Sequence, residues 1–171
     1  RWALGALVIA GITALAFWLG TVLGPAAEDA PAGMSILTMP LPEGQWQARR
    51  QRKPVAISPD GSLIAYVATD ETFEQHLFVR RLDSMAATRT PGSEGALAPF
   101  FSPASDRIGF FAGGSLKRAP VDGGASSFVA SAPRPFGGSW GTGDLIWYSP
   151  QLESGIWQVQ ANGENPTRLT E

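Results

Sequence analysis

From residue 54 onward, short apolar runs alternate with tight polar turns. The stretch AISPDGSLIAYV (Ala56–Val67) is answered 44 residues later by FFSPASDRIGFF (Phe100–Phe111). Ser58-Pro59-Asp60-Gly61 corresponds to Ser102-Pro103-Ala104-Ser105. A third, degenerate copy, Gly141-Thr142-Gly143, follows 39 residues after the second. An apolar residue precedes each turn (Ile57, Phe101, Trp140), and an apolar run follows it: LIAYV (63–67), IGFFA (108–112), LIWY (145–148). Leu77, Leu116 and Ile156 then each lead by six residues to Asp83, Asp122 and Asn162. Each unit therefore reads as strand, tight turn, strand, loop, strand, Asp/Asn turn, strand.

The second strand of each unit is continuously apolar, which predicts burial on both faces. A lone antiparallel sheet cannot bury both, but sheets stacked around an axis can. Four short strands recurring every ~40 residues predict propeller blades. A single β-sandwich also accommodates short strands, but gives no reason for repetition in phase. The expectation is an all-β fold: a partial β-propeller of three four-stranded antiparallel blades, at about 54–95, 96–135 and 136–171, with Ile64, Phe110 and Ile146 at matching positions. Pro59 presets φ in the first turn, Asp60 can bond the local backbone, and Gly61 accepts φ > 0.

The amino-terminal pattern is different. Trp2–Leu23 is an uncharged run ending just before Pro25. As a helix it would be ~33 Å long, enough for a ~30 Å hydrocarbon core. Residues 1–25 are therefore expected to form one transmembrane helix, making the membrane a partner. A cleaved signal or a buried core helix are the alternatives. Arg1 before the run and Glu28 and Asp29 after it favour the remainder lying outside the cytoplasm. The basic cluster Arg49–Lys53 lies too far along to count in that rule. Residues 26–53 read as a linker with one short strand, Met34–Met39.

Composition narrows the classes. The net charge of −2 argues against nucleic-acid binding, and 44% hydrophobic content argues against disorder. With no cysteine, disulfides and Cys-based metal sites are excluded. Gly137-Gly138-Ser139-Trp140-Gly141 matches the nucleophile-elbow spacing, but a strand rather than a helix is expected after Ser139, and the single histidine, His76, lies upstream. Ser139 therefore reads as part of an entry strand. His76 reads as a surface or interface residue, Asp60 and Asp83 as turn caps. Asp70, Glu71 and Glu74 form an acidic loop in blade one, five residues longer than its counterparts, where recognition could reside. Trp140, Trp147, Tyr148 and Trp157 read as packing between blades. Asn165-Pro166-Thr167 fails as a glycosylation site because of its Pro. No catalytic, cofactor-binding or metal residue is expected, and no cofactor.

ISPDGSLIAYVA, FFSPASDRIGFFAGGSLKRAPVDGG and GGSWGTGDLIWYSP resemble the WD40-like repeats of TolB-like β-propellers. The order of apolar helix, short strand ending in PLPEG, and blades resembles the extracytoplasmic part of bacterial transmembrane serine/threonine protein kinases. Similar propellers accompany membrane-spanning winged-helix regulators. Ala104-Ser105 in place of Asp-Gly, and the missing Ser-Pro in the third copy, depart from the repeat. No kinase motif occurs in this chain, so no catalytic residue carries over. The resemblance implies a single-pass inner-membrane protein with a periplasmic sensing module that binds an extracytoplasmic protein, peptide or envelope ligand, with three blades as a fragment of a longer chain. Alternatives are the propeller of an envelope peptidase and a periplasmic Tol-Pal-like scaffold.

Overall fold

The computed structural model describes residues 40–47 and 54–171, all within one compact unit, Pro40–Glu171. The expected membrane helix, the strand at Met34–Met39 and the Arg49–Lys53 cluster lie outside the described residues. No helix among the described residues is long and apolar enough to cross a membrane.

Three antiparallel sheets follow one another. Blade one comprises β1 (Trp46–Gln47), β2 (Val55–Ile57), β3 (Leu63–Thr69), β4 (Gln75–Arg81) and β5 (Ala87–Arg89). Both β1 and β2 pair with the same edge of β3, so the blade is four positions wide although it has five strands. The two-residue β1 was not foreseen from the sequence. Blade two comprises β6 (Leu97–Phe101), β7 (Arg107–Ala112), β8 (Ser115–Pro120) and β9 (Ser127–Ser131). Blade three comprises β10 (Gly137–Trp140), β11 (Leu145–Ser149), β12 (Trp157–Gln160) and β13 (Thr167–Arg168).

The register makes the repeat explicit. Ile57 pairs with Ile64, Phe101 with Ile108, and Trp140 with Ile146. The matching buried residues are therefore Ile64, Ile108 and Ile146. Phe110 lies two positions further along, where blades one and three place Tyr66 and Tyr148. The apolar runs alone mislead here because the charged Arg107 occupies the place of Leu63 at the head of the strand.

The turns explain that offset. The Ser58 amide donates to the Leu63 carbonyl at 3.0 Å, and the Ser102 amide to the Arg107 carbonyl at 2.9 Å. In blade three the same bond runs from Gly141 to Leu145 at 2.9 Å, one residue shorter. Gly61 at φ 71° and Ser105 at φ 60° share the left-handed position. Serine therefore takes on the strained conformation that glycine adopts freely in blade one. Ser105 also accepts from the Asp60 amide of the neighbouring blade at 3.3 Å.

Two apolar layers join the sheets. Ala65, Val67, Leu77 and Val79 of blade one meet Phe101, Ile108, Phe110 and Ala119 of blade two. Phe111, Leu116, Val129 and Ala132 of blade two meet Trp140, Ile146, Tyr148 and Val159 of blade three. Burying each large aliphatic or aromatic side chain contributes about 1.5–3 kcal/mol. β3 and β7 are buried on both faces as the continuous apolar pattern predicts. β11 is not: only Ile146 and Tyr148 are buried, while Leu145, Trp147 and Ser149 stay half-buried. No further sheet covers that face among the described residues.

Candidate functional site

The most elaborate polar arrangement lies where β3 turns into β4. Asp70 caps its own loop: its Oδ1 accepts from the Thr72 amide at 2.9 Å, the Thr72 hydroxyl at 2.6 Å and the Glu74 amide at 3.3 Å. The Thr72 hydroxyl first, and then the loop amides and His76, hold the Asp70 carboxyl below its ordinary range against an opposing desolvation. Its other oxygen lies 3.1 Å from His76 Nε2. His76 is 1% exposed, so the expectation of a surface position is corrected. Its alternation with Phe78 and Arg80 along β4 turns the ring inward, and Asp70 supplies a polar partner there.

The connection from β5 to β6 closes this arrangement from the other side. Glu94 Oε1 lies 4.0 Å from His76 Nδ1, and Arg89 spans Glu94 at 3.3 Å and Asp70 at 4.0 Å. His76 Nδ1 has no hydrogen-bond partner. Buried Ser93 donates to the Thr90 carbonyl at 2.6 Å and accepts from the Leu77 amide at 3.1 Å. The Gly95 amide donates to the Gln75 carbonyl at 2.8 Å. Two chain segments are thus pinned to the start of β4. Exposed surface ion pairs such as Arg89–Glu94 contribute little alone; the buried serine and histidine do more of the fixing.

Above this base stands an exposed aromatic pair. Phe73 is 84% exposed, and its ring stacks on Trp46 with centroids 6.3 Å apart and planes 9° from parallel. Phe73 has φ 61°, which costs a residue with a Cβ of order 1–3 kcal/mol. Glu71 and Glu74 flank it, both exposed. An apolar plate beside carboxylates can grip a partner; no nucleophile with a positioned base accompanies it. Among the described residues, no group of three or more His, Cys, Asp or Glu is arranged to hold a metal ion.

The remaining singled-out residues fall elsewhere. Ser139 is an exposed residue of β10 opposite Trp147, and β11, not a helix, follows a short 3-10 turn at Thr142–Asp144. Asp60 caps its turn, accepting from Ser58 Oγ at 2.5 Å, Ser62 Oγ at 2.7 Å and the Ser62 amide at 3.1 Å. Asp83 forms a two-point pair with Arg81, both contacts at 2.9 Å. Trp140 and Tyr148 are buried between blades, and Trp157 packs partly against them. Trp147 instead lies half-buried on the outer face of blade three, donating to Gln158 at 3.2 Å. The loop comparison also changes. The β11–β12 connection, 150–156, is itself extended, so the 70–74 loop is distinctive mainly against blade two, where only 113–114 intervene.

No protein-family model and no curated protein sequence matches the chain. Among solved structures it is similar to a protein assigned as TolB from Agrobacterium tumefaciens, with TM-score 0.60 and 18% identity over 69% of this chain and 46% of that one. It is also similar to the β-propeller domain of the Trilobed protease from Pyrococcus furiosus, with TM-score 0.52 and 17% identity over 72% of this chain and 42% of that one. At these identities the comparisons establish the fold, a TolB-like β-propeller. The chain spans less than half the length of either structure.

Proposed function

We propose that this chain is an extracytoplasmic recognition module: propeller blades tethered to the inner membrane through Trp2–Leu23, belonging to a receptor-type serine/threonine kinase. The observation that carries the recognition reading is the exposed Phe73–Trp46 pair on a loop anchored through buried His76. Large aromatics held on a rigid base lose little conformational entropy on binding, which is why interfaces favour them. The carboxylates around the pair favour a protein, peptide or envelope ligand over a nucleic acid, whose phosphates they would repel. Tethering rests on the 22-residue uncharged run.

The chain has no cysteine, so one introduced at exposed Glu153 gives a single label site within it, read against the unsubstituted protein as control. In intact cells a membrane-impermeant maleimide is expected to label Glu153→Cys without lysis, and alkaline carbonate should leave the protein in the membrane fraction. Labelling only after lysis overturns the extracytoplasmic placement, and release by carbonate overturns the tether. Kinase motifs encoded ahead of Arg1 in the parent reading frame are expected; a winged-helix or hydrolase domain in the parent replaces the kinase reading.

A further inference from the structure

The two joints between blades differ at one rim. In blade one, Leu63 pairs with Arg81 and Val79 with Thr88. Their counterparts in blade two, by the same register, are Arg107 opposite Pro120 and Arg118 opposite Ser127. At the first joint Val79 is 4% exposed, and Leu63 and Val121 pack against the apolar layer, sealing the rim. At the second joint two guanidinium groups replace that aliphatic pair, and the Arg107 side chain is 42% exposed. A pocket of about 260 Å³ opens on this rim of blade two, lined by Arg107, Arg118, Ala119, Pro120, Ala125 and Ser127, all of blade two.

The charges in this pocket are incompletely matched. Arg107 Nε lies 3.8 Å from Asp106, and its Nη1 lies 3.9 Å from Asp144. Both contacts are long and exposed, and such pairs contribute little. Both carboxylates line the neighbouring hollow, not this pocket. The Arg118 guanidinium makes no hydrogen bond or ion pair among the described residues. A guanidinium presents a planar fork of donors that fits two oxygens of one anion, and Ser127 adds a hydroxyl donor.

We propose that Arg107, Arg118 and Ser127 form an oxyanion-binding site in this pocket on the rim of blade two, taking a single carboxylate or phosphate group. The site needs only the blades and stands independently of the membrane and receptor reading. The register thus puts two charged groups where the first joint carries an aliphatic pair.

The test follows arginine side-chain N–H resonances of the full 171-residue chain by NMR. One arm adds inorganic phosphate and the other succinate, at constant ionic strength so that screening does not vary. Saturable shifts at Arg118 and Arg107 are expected in at least one arm. Phosphate alone points to a phosphate ester, succinate alone to a peptide carboxylate, and both to a general oxyanion site. Arg118→Gln should weaken binding by roughly tenfold or more, whereas Arg134→Gln, outside the pocket, should leave it unchanged. No saturable shift in either arm, or saturation that survives Arg118→Gln, overturns the proposal. Should Arg118→Gln fail to fold, Arg118→Lys, which keeps the charge and loses the fork, replaces it.

Discussion

The Phe100 ring of blade two occupies the space where Gly138 of blade three would carry a side chain: a Cβ there would stand 2.8 Å from the ring. The same ring lies over Gly109 of its own blade, where a Cβ would approach to 2.4 Å. One aromatic is thus seated between two glycines across a blade joint. Gly138→Ala is expected to destabilise the fold by about 1–3 kcal/mol through overpacking. Phe100→Leu should relieve the clash, giving a coupling of about 0.5–3 kcal/mol in a double-mutant cycle. Denaturant unfolding of the four proteins measures it; strict additivity would separate Phe100 from Gly138.

The Asp60 turn makes stability depend on acid. Hydrogen bonds from Ser58 and then Ser62 hold the Asp60 carboxyl far below its ordinary value of 3.8. A carboxyl lowered in the folded state binds fewer protons there than in the unfolded chain. Its stabilisation is therefore present above the ordinary value and is lost as pH falls through the folded one. Asp70, Asp83 and Glu94 are lowered in the same direction. Asp60→Asn should flatten, without abolishing, the fall in stability below about pH 4. Thermal melts across that range read it, and an unchanged acid slope would contradict the turn assignment.

The repeat was legible because each turn leaves its chemistry in the sequence. Ser58 and Ser102 recur because their hydroxyls accept the amides of Leu63 and Arg107 at 2.9 and 3.0 Å. What stayed hidden depends on contacts distant in sequence. His76 looks polar and surface-bound until Asp70 and Glu94 are brought to it. The Phe73–Trp46 pair joins residues of a loop and of a two-residue strand that no periodicity reveals. The apolar pattern alone misplaces Phe110 because Arg107 interrupts that pattern without interrupting the register.

Gly137–Gly141 offers a second packing test. A Cβ on Gly141 would stand 2.1 Å from the Trp147 ring. The Trp147 indole is held by Gln158 at 3.2 Å. Gly141, which closes the G-x-S-x-G spacing, and Gly138 inside it are therefore accounted for by two aromatic rings, whereas a Cβ on Gly137 would meet nothing within 4 Å. Gly141→Ala should cost about 1–3 kcal/mol. Ser139→Ala, exposed on β10, should change stability by no more than about 0.5 kcal/mol. Chemical denaturation of both variants separates the two; a large cost at Ser139 would show a role that its position in the sheet does not provide.

Phe73 carries two contributions that mutation can separate. Its φ of 61° places it in the left-handed region, where a Cβ crowds the following carbonyl. Glycine relieves that crowding and alanine does not. Because Phe73 is almost fully exposed, both substitutions remove the same ring from the same Trp46 stack. Phe73→Gly is therefore expected to be more stable than Phe73→Ala by about 1 kcal/mol, despite the extra chain entropy of unfolded glycine. The difference between Phe73 and Phe73→Ala then isolates the ring, worth about 0.5–1.5 kcal/mol if the stack persists in solution. Urea unfolding of the three proteins gives both numbers. If alanine equals glycine, the loop relaxes out of the left-handed conformation and holds no strain. If alanine equals phenylalanine, the stack adds nothing to the fold, and an aromatic plate kept at 84% exposure is then free to serve a partner.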